Sequence, residues 1–136
     1  MEPVAEMPTE IVLLGWTVVL LLVQLVLHTL AAVAEFGLPY SLTSRDEGLE
    51  IKGKMAGRLT RAFQNLLETF PAFAAVALAL AVSGKTGGLG AIGAHVWFWA
   101  RLAYVPFYAF GIQGLRTAAW AVSVVGIVLM VIALLA

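Results

Sequence analysis

The sequence predicts an all-α membrane protein, a single four-helix bundle over residues 1–136. Three observations carry this. Hydrophobic residues make up 62% and charged residues 12% of the chain, the latter about half the share of an ordinary soluble domain. Mean hydropathy is +0.97. The apolar residues form continuous helix-length runs, without the alternation of a membrane β-barrel. This composition excludes a soluble globular domain and a disordered tail. Eight Lys/Arg balance eight Asp/Glu, so the basic surplus of a nucleic-acid binder is missing.

The first element is Ile11 to Ala34, 24 residues without a charge. At about 1.5 Å per residue it crosses a hydrocarbon core of roughly 30 Å. Glu2, Glu6 and Glu10 precede it without any Lys or Arg, and the run exceeds a signal-peptide core, so it reads as a helix and not as a leader. The polar stretch Glu35 to Ala56 follows, with Gly37, Pro39 and the run Arg45-Asp46-Glu47. A second helix is expected from about Gly57 to Val82, a third from Gly88 to Phe110 and a fourth from Thr117 to Ala136, with Thr117 as its N-cap. The connections Ser83–Gly87 and Gly111–Arg116 are short, and short connections join antiparallel neighbours. The first and third loops carry Arg45, Lys52, Lys54, Arg58 and Arg116, against Lys85 alone on the opposite side. The positive-inside rule then puts those loops in the cytoplasm and both termini outside it.

With no cysteine there is no disulfide, thiolate metal site or cysteine nucleophile, so thiol chemistry would need a thiol that arrives with a substrate. His28 and His95 are too few and too far apart for a metal cluster. Gly84-Lys85-Thr86 imitates the end of a phosphate-binding loop, but position 79 is Ala and no strand precedes it.

Charges inside a bilayer are costly and need a partner or a task. Arg61, Asn65 and Glu68 follow one stripe of the second helix, and Arg101, Tyr104 and Tyr108 one stripe of the third. Counted from the cytoplasmic ends, Glu68 lies about 16 Å deep and Arg101 about 13 Å deep. The matched depths predict a structural ion pair between Glu68 and Arg101. Above it, Arg61, Asn65, Tyr104 and Tyr108 would line a cavity with Arg116 at its rim. Such a cavity suits a small, multiply charged ligand, because arginines pair with carboxylates. Gln24 and His28 are expected to make interhelical hydrogen bonds, and His95, Trp97 and Trp99 to pack or face an interface. Pro71 and Pro106 are expected to kink their helices. Gly90, Gly93 and Ala94, like Ala72, Ala75 and Ala79, make small faces for close packing.

Arg61-Ala62-x-x-Asn65-x-x-Glu68 with Phe70-Pro71, and Arg101-x-x-Tyr104-x-x-x-Tyr108 with Gly114-Leu115-Arg116-Thr117, resemble the signatures of the MAPEG family, membrane-associated proteins in eicosanoid and glutathione metabolism. The family includes microsomal glutathione transferases, leukotriene and prostaglandin synthases and a non-enzymatic lipoxygenase-activating protein. The resemblance implies a homotrimer that binds glutathione as co-substrate between subunits. It implies glutathione contacts from Arg61, Asn65, Glu68, Tyr104, Tyr108 and Thr117, and a thiolate-holding role for Arg116. Position 63 is Phe where the synthases tend to have Gln or His, and Glu35 stands where eukaryotic synthases carry an arginine. The chain looks more like the bacterial members, which implies a bacterial inner membrane.

The expected function is a glutathione-dependent transferase or peroxidase acting on lipophilic electrophiles that enter from the bilayer. The alternative is a non-catalytic membrane protein that binds lipid or glutathione. A small multidrug exporter would need an acidic residue midway along the first helix, and none is there.

Overall fold

Four apolar runs too long for any loop, joined by Gly-containing connections, fold as helices. The computed structural model describes residues 6–136; Glu2 lies outside the described residues. In chain order they form α1 (Thr9–Phe36), α2 (Leu38–Ser41), α3 (Lys54–Val82), α4 (Gly88–Ala109) and α5 (Gln113–Leu135), with no strand among the described residues. α1, α3 and α5 are long and apolar enough to cross a membrane. α4 has 22 residues, and Arg101, His95 and its Trp and Tyr residues lower its hydropathy.

The α4–α5 connection differs from expectation. Gly111, at φ +73°, stops α4 in a Schellman turn. Its N–H donates to Tyr108 O at 3.1 Å, and the Ile112 N–H donates to Phe107 O at 2.9 Å. The chain then re-enters a helix at Gln113, four residues before the expected start. Thr117 is therefore inside α5 and caps nothing. Arg116 lies in the first turn, its N–H donating to Ile112 O at 3.0 Å. α3 begins at Lys54, earlier than the expected Gly57, and Pro71 and Pro106 sit within continuous helices.

Packing is tightest between α4 and α5. A Cβ on Gly126 would lie 2.6 Å from the Trp97 nitrogen and 2.7 Å from Gly93 O. Gly93 thus serves close packing within the chain. One core holds Leu13, Leu66, Phe73, Leu80, Trp97 and Met130, with Phe73 stacked on Trp97 at 4.9 Å. A smaller one holds Ala62, Tyr104, Tyr108 and Ala119.

The first core fills the half of the bundle that ends at the α3–α4 turn, here the far end. There the fully buried Glu10 carboxylate accepts the Gly87 N–H at the start of α4, at 2.9 Å. Lys85 Nζ donates to Leu134 O and Ala136 O at 2.9 and 3.2 Å. The opposite, basic end carries the α1–α3 segment and the α4–α5 turn. Glu35 there accepts the N–H groups of Lys52 and Gly53 and so anchors the start of α3.

Candidate functional site

α3 and α4 lie antiparallel, so residues ascending on one meet residues descending on the other. Arg61 Nε donates to Tyr108 Oη at 2.9 Å, and Arg101 Nη1 donates to Asn65 Oδ1 at 2.7 Å. The Arg101 guanidinium carbon stands 4.3 Å from the Tyr104 ring centroid. Arg116 lies 4.6 Å and Arg61 5.9 Å from the Tyr108 ring, which therefore sits among two cations. The two tyrosine rings are buried, with centroids 5.6 Å apart.

The expected Glu68–Arg101 pair does not form within the chain. Arg101 gives Nη1 to Asn65, while its Nε and Nη2 have no partner. Matched depth left out rotation about the helix axis. At about 100° per residue, Glu68 lies about 20° from Arg61 to one side and Asn65 about 40° to the other. Asn65 turns inward towards α4, whereas Arg61 and Glu68 are exposed.

Arg101 is only 1% exposed, so its two unpartnered N–H groups are buried donors without an acceptor. Arg116 Nε is a third. Such groups are rare in folded proteins and cost about 1–3 kcal/mol each when nothing satisfies them. Two recesses adjoin Arg116, while Arg101 lies behind Asn65 and Tyr104 and lines neither. One, of about 300 Å³, is lined by Arg58, Arg61, Tyr108, Gly111, Gln113 and Arg116. The other, of about 210 Å³, is lined by Asn65, Tyr104, Arg116, Thr117 and Trp120. Arg116 belongs to both, and no carboxylate lines either.

Sequence reasoning missed Arg58, Gln113 and Trp120. Arg58 Nη1 donates to Ala109 O at 3.1 Å and holds the end of α4. Its spacing of three from Arg61 on one helix face was the available signal. Gln113 and Trp120 had none, because both depend on where α5 starts. His28 approaches Thr60 Oγ1 at 3.4 Å and stacks on Phe63. Gln24 is buried with Oε1 unpartnered. Trp97 is core, while the exposed Trp99 donates to His95 Nδ1 at 3.2 Å. Among the described residues no group of acidic, His or Cys side chains could hold a metal.

The family model for the MAPEG family matches residues 13–136. Comparisons with curated proteins and with solved structures gave no match. The matched range takes in both polar stripes and every residue lining the two recesses, and the chain belongs to the MAPEG family, as an integral membrane protein.

Proposed function

We propose that this protein is a glutathione-dependent transferase or peroxidase that acts on lipophilic electrophiles. The observation that carries this reading is the set of buried guanidinium N–H groups on Arg101 and Arg116 that meet no acceptor among the described residues. Arg58 and Arg61 extend the same positive field into the adjoining recess. Glutathione offers what is missing, namely two carboxylates and, once ionised, a thiolate. Asn65 and Glu68 suit its peptide amides and amine.

The exposed stripe of α3 supports a homotrimer with sites shared between copies. Arg61, Gln64 and Glu68 are exposed along a helix apolar enough to span a membrane, followed by the small, exposed Ala72 and Ala75. A carboxylate does not face lipid at low cost, whereas small residues let a second helix approach closely. Native mass spectrometry from mild detergent should show three copies. The reading keeps both termini outside the cytoplasm of a bacterial-type member, and a reporter active only in the cytoplasm should be silent when fused at Ala136.

The chemistry follows from one cation. A thiol with a pKa of about 8.5 must drop by about two units to be mostly thiolate at neutral pH, roughly 2.7 kcal/mol. Arg116 in the first turn of α5, near the helix's own positive end, supplies energy of that order. The proton leaves to solvent, and the thiolate sulfur attacks an electrophilic carbon that enters from the bilayer; the new S–C bond forms as a leaving group departs with its electron pair, or as an activated C=C bond takes up the pair and is protonated by solvent.

Mixing the purified protein with glutathione and recording thiolate ultraviolet absorbance tests this. The parent should form thiolate at neutral pH. Arg116→Ala should raise the bound thiol's pKa and slow conjugation by about ten- to a hundredfold at pH 7, with the defect shrinking as pH rises. Retained binding without thiolate in the parent would instead mark a protein that holds glutathione without chemistry.

A further inference from the structure

A third cavity, of about 370 Å³, shares no lining residue with the arginine recesses. It lies under the α1–α3 segment, against His28, Ala32 and Phe36 of α1, with Arg45, Leu49 and Ile51 closing over it. The covering loop is pinned: Tyr40 Oη accepts the Leu49 N–H at 2.9 Å, and Glu35 accepts the Lys52 N–H at 3.0 Å. Arg45 is held at φ +58°, in backbone space that non-glycine residues seldom occupy.

Arg45 is the cavity's charged lining residue. Its Nη2 donates one bond, to Ser41 O at 3.2 Å, which leaves further N–H groups for an acceptor. Asp46 and Glu47 line an adjoining recess that Arg45 also borders, but not this one, and neither carboxylate is hydrogen-bonded to Arg45. His28 is already engaged with Thr60 and Phe63. A single cation, with neutral walls that mix Ala32, Val33, Phe36, Leu49 and Ile51 with the hydroxyls of Thr29 and Ser41, does not suit a multiply charged peptide. This lining suits a molecule with one anionic head and an apolar chain. The source is the membrane: Leu49 of the lining and Leu38 and Leu42 of the same covering segment are exposed, Leu42 to 78%, and apolar side chains so exposed beside the end of a spanning helix belong at a bilayer surface.

We propose that this cavity binds one anionic amphiphile from the adjoining leaflet, its carboxylate or phosphate head on Arg45 and its chain against Ala32 and Phe36. The test uses the full chain in phosphatidylcholine nanodiscs, titrated with the fluorescent fatty acid cis-parinaric acid and corrected for uptake by empty discs. Binding should saturate at one probe per protomer. Arg45→Gln should weaken it about tenfold, the scale of one charge-assisted contact. Ala32→Trp, which fills the floor, should abolish it, and Ala32→Leu should weaken it if the larger change unfolds the protein. Thiolate formation with added glutathione should be unaltered in Arg45→Gln, so failure here and failure of the glutathione reading are separable. Competition by unlabelled fatty acid identifies a carboxylate head, and competition by a lysophosphatidic acid a phosphate head. Competition by a chain-matched fatty alcohol as strong as by either, or equal probe binding by the parent, Arg45→Gln and the Ala32 variants, would overturn the proposal.

Discussion

The two halves of the bundle solve the same packing problem with opposite chemistry. In the far half, Leu66, Phe73, Leu80, Trp97 and Met130 interlock, and Glu10 and Lys85 at the end are spent on helix termini. Glu10 meets the positive end of α4, and Lys85 meets the negative end of α5. In the basic half, the core is two tyrosines and two alanines, and four arginines surround it without a carboxylate partner. The far half also has unpartnered buried polarity, at Trp97 Nε1, but that group is neutral. The difference teaches where each function sits. The far half is complete and holds the fold together, while the basic half is left short of acceptors, which a ligand can supply.

If that division is right, the largest stability loss should come from the half without the site. Phe73 is fully buried and stacked on Trp97. Phe73→Ala should cost about 3–5 kcal/mol, read as a large drop in thermal midpoint in detergent. The pKa of bound glutathione should stay unchanged in whatever fraction remains folded. A negligible drop in midpoint would break the comparison.

The basic half should respond asymmetrically. Asn65→Leu strands the Arg101 guanidinium with no acceptor and should cost about 1.5–3 kcal/mol. Arg101→Met removes the same hydrogen bond together with the buried charge, and should cost under about 1 kcal/mol. Glu68→Gln should matter least in the ligand-free protein, because Glu68 is exposed and Arg101 is bonded elsewhere. Saturating glutathione should recover part of the Asn65→Leu loss by offering an acceptor. Equal losses for Asn65→Leu and Arg101→Met, measured by thermal unfolding, would show that the guanidinium is not short of partners.

Much of the fold was legible because apolar helix-length runs admit few other structures. The residues of the two stripes were legible too, since intramembrane Arg, Glu and Asn are costly and a spacing of three or four records a shared face. Which residue meets which was not. Stripe membership tolerates tens of degrees of rotation, and that margin separates the inward Asn65 from the outward Glu68. The start of α5 was misread because Thr117 satisfies the N-cap preference, while Gly111 had already supplied a tighter stop for α4. The contact between Glu10 and Gly87 joins positions far apart in sequence, and no local pattern announces it.

That same contact gives a small effect in its conservative variant. Glu10 is 0% exposed and its carboxylate oxygens receive the Gly87 N–H. Glu10→Gln keeps one oxygen acceptor of the same reach, removes the charge and puts an amide NH2 where the second oxygen stood. What is lost is the attraction between a carboxylate and the positive end of α4, about 0.3–1 kcal/mol. Glu10→Leu also leaves the Gly87 N–H unpaired, and should cost about 1–3 kcal/mol. The ordering parent, Gln, Leu in thermal midpoint is therefore the signature of a charge held by a helix end. Glutathione binding and thiolate formation should be the same in all three, because the arginine recesses lie at the other end of the bundle. A Gln variant more stable than the parent would mean that burying the carboxylate costs more than the helix end returns. The far half would then carry an unresolved charge of its own, and the contrast between the two ends would fail.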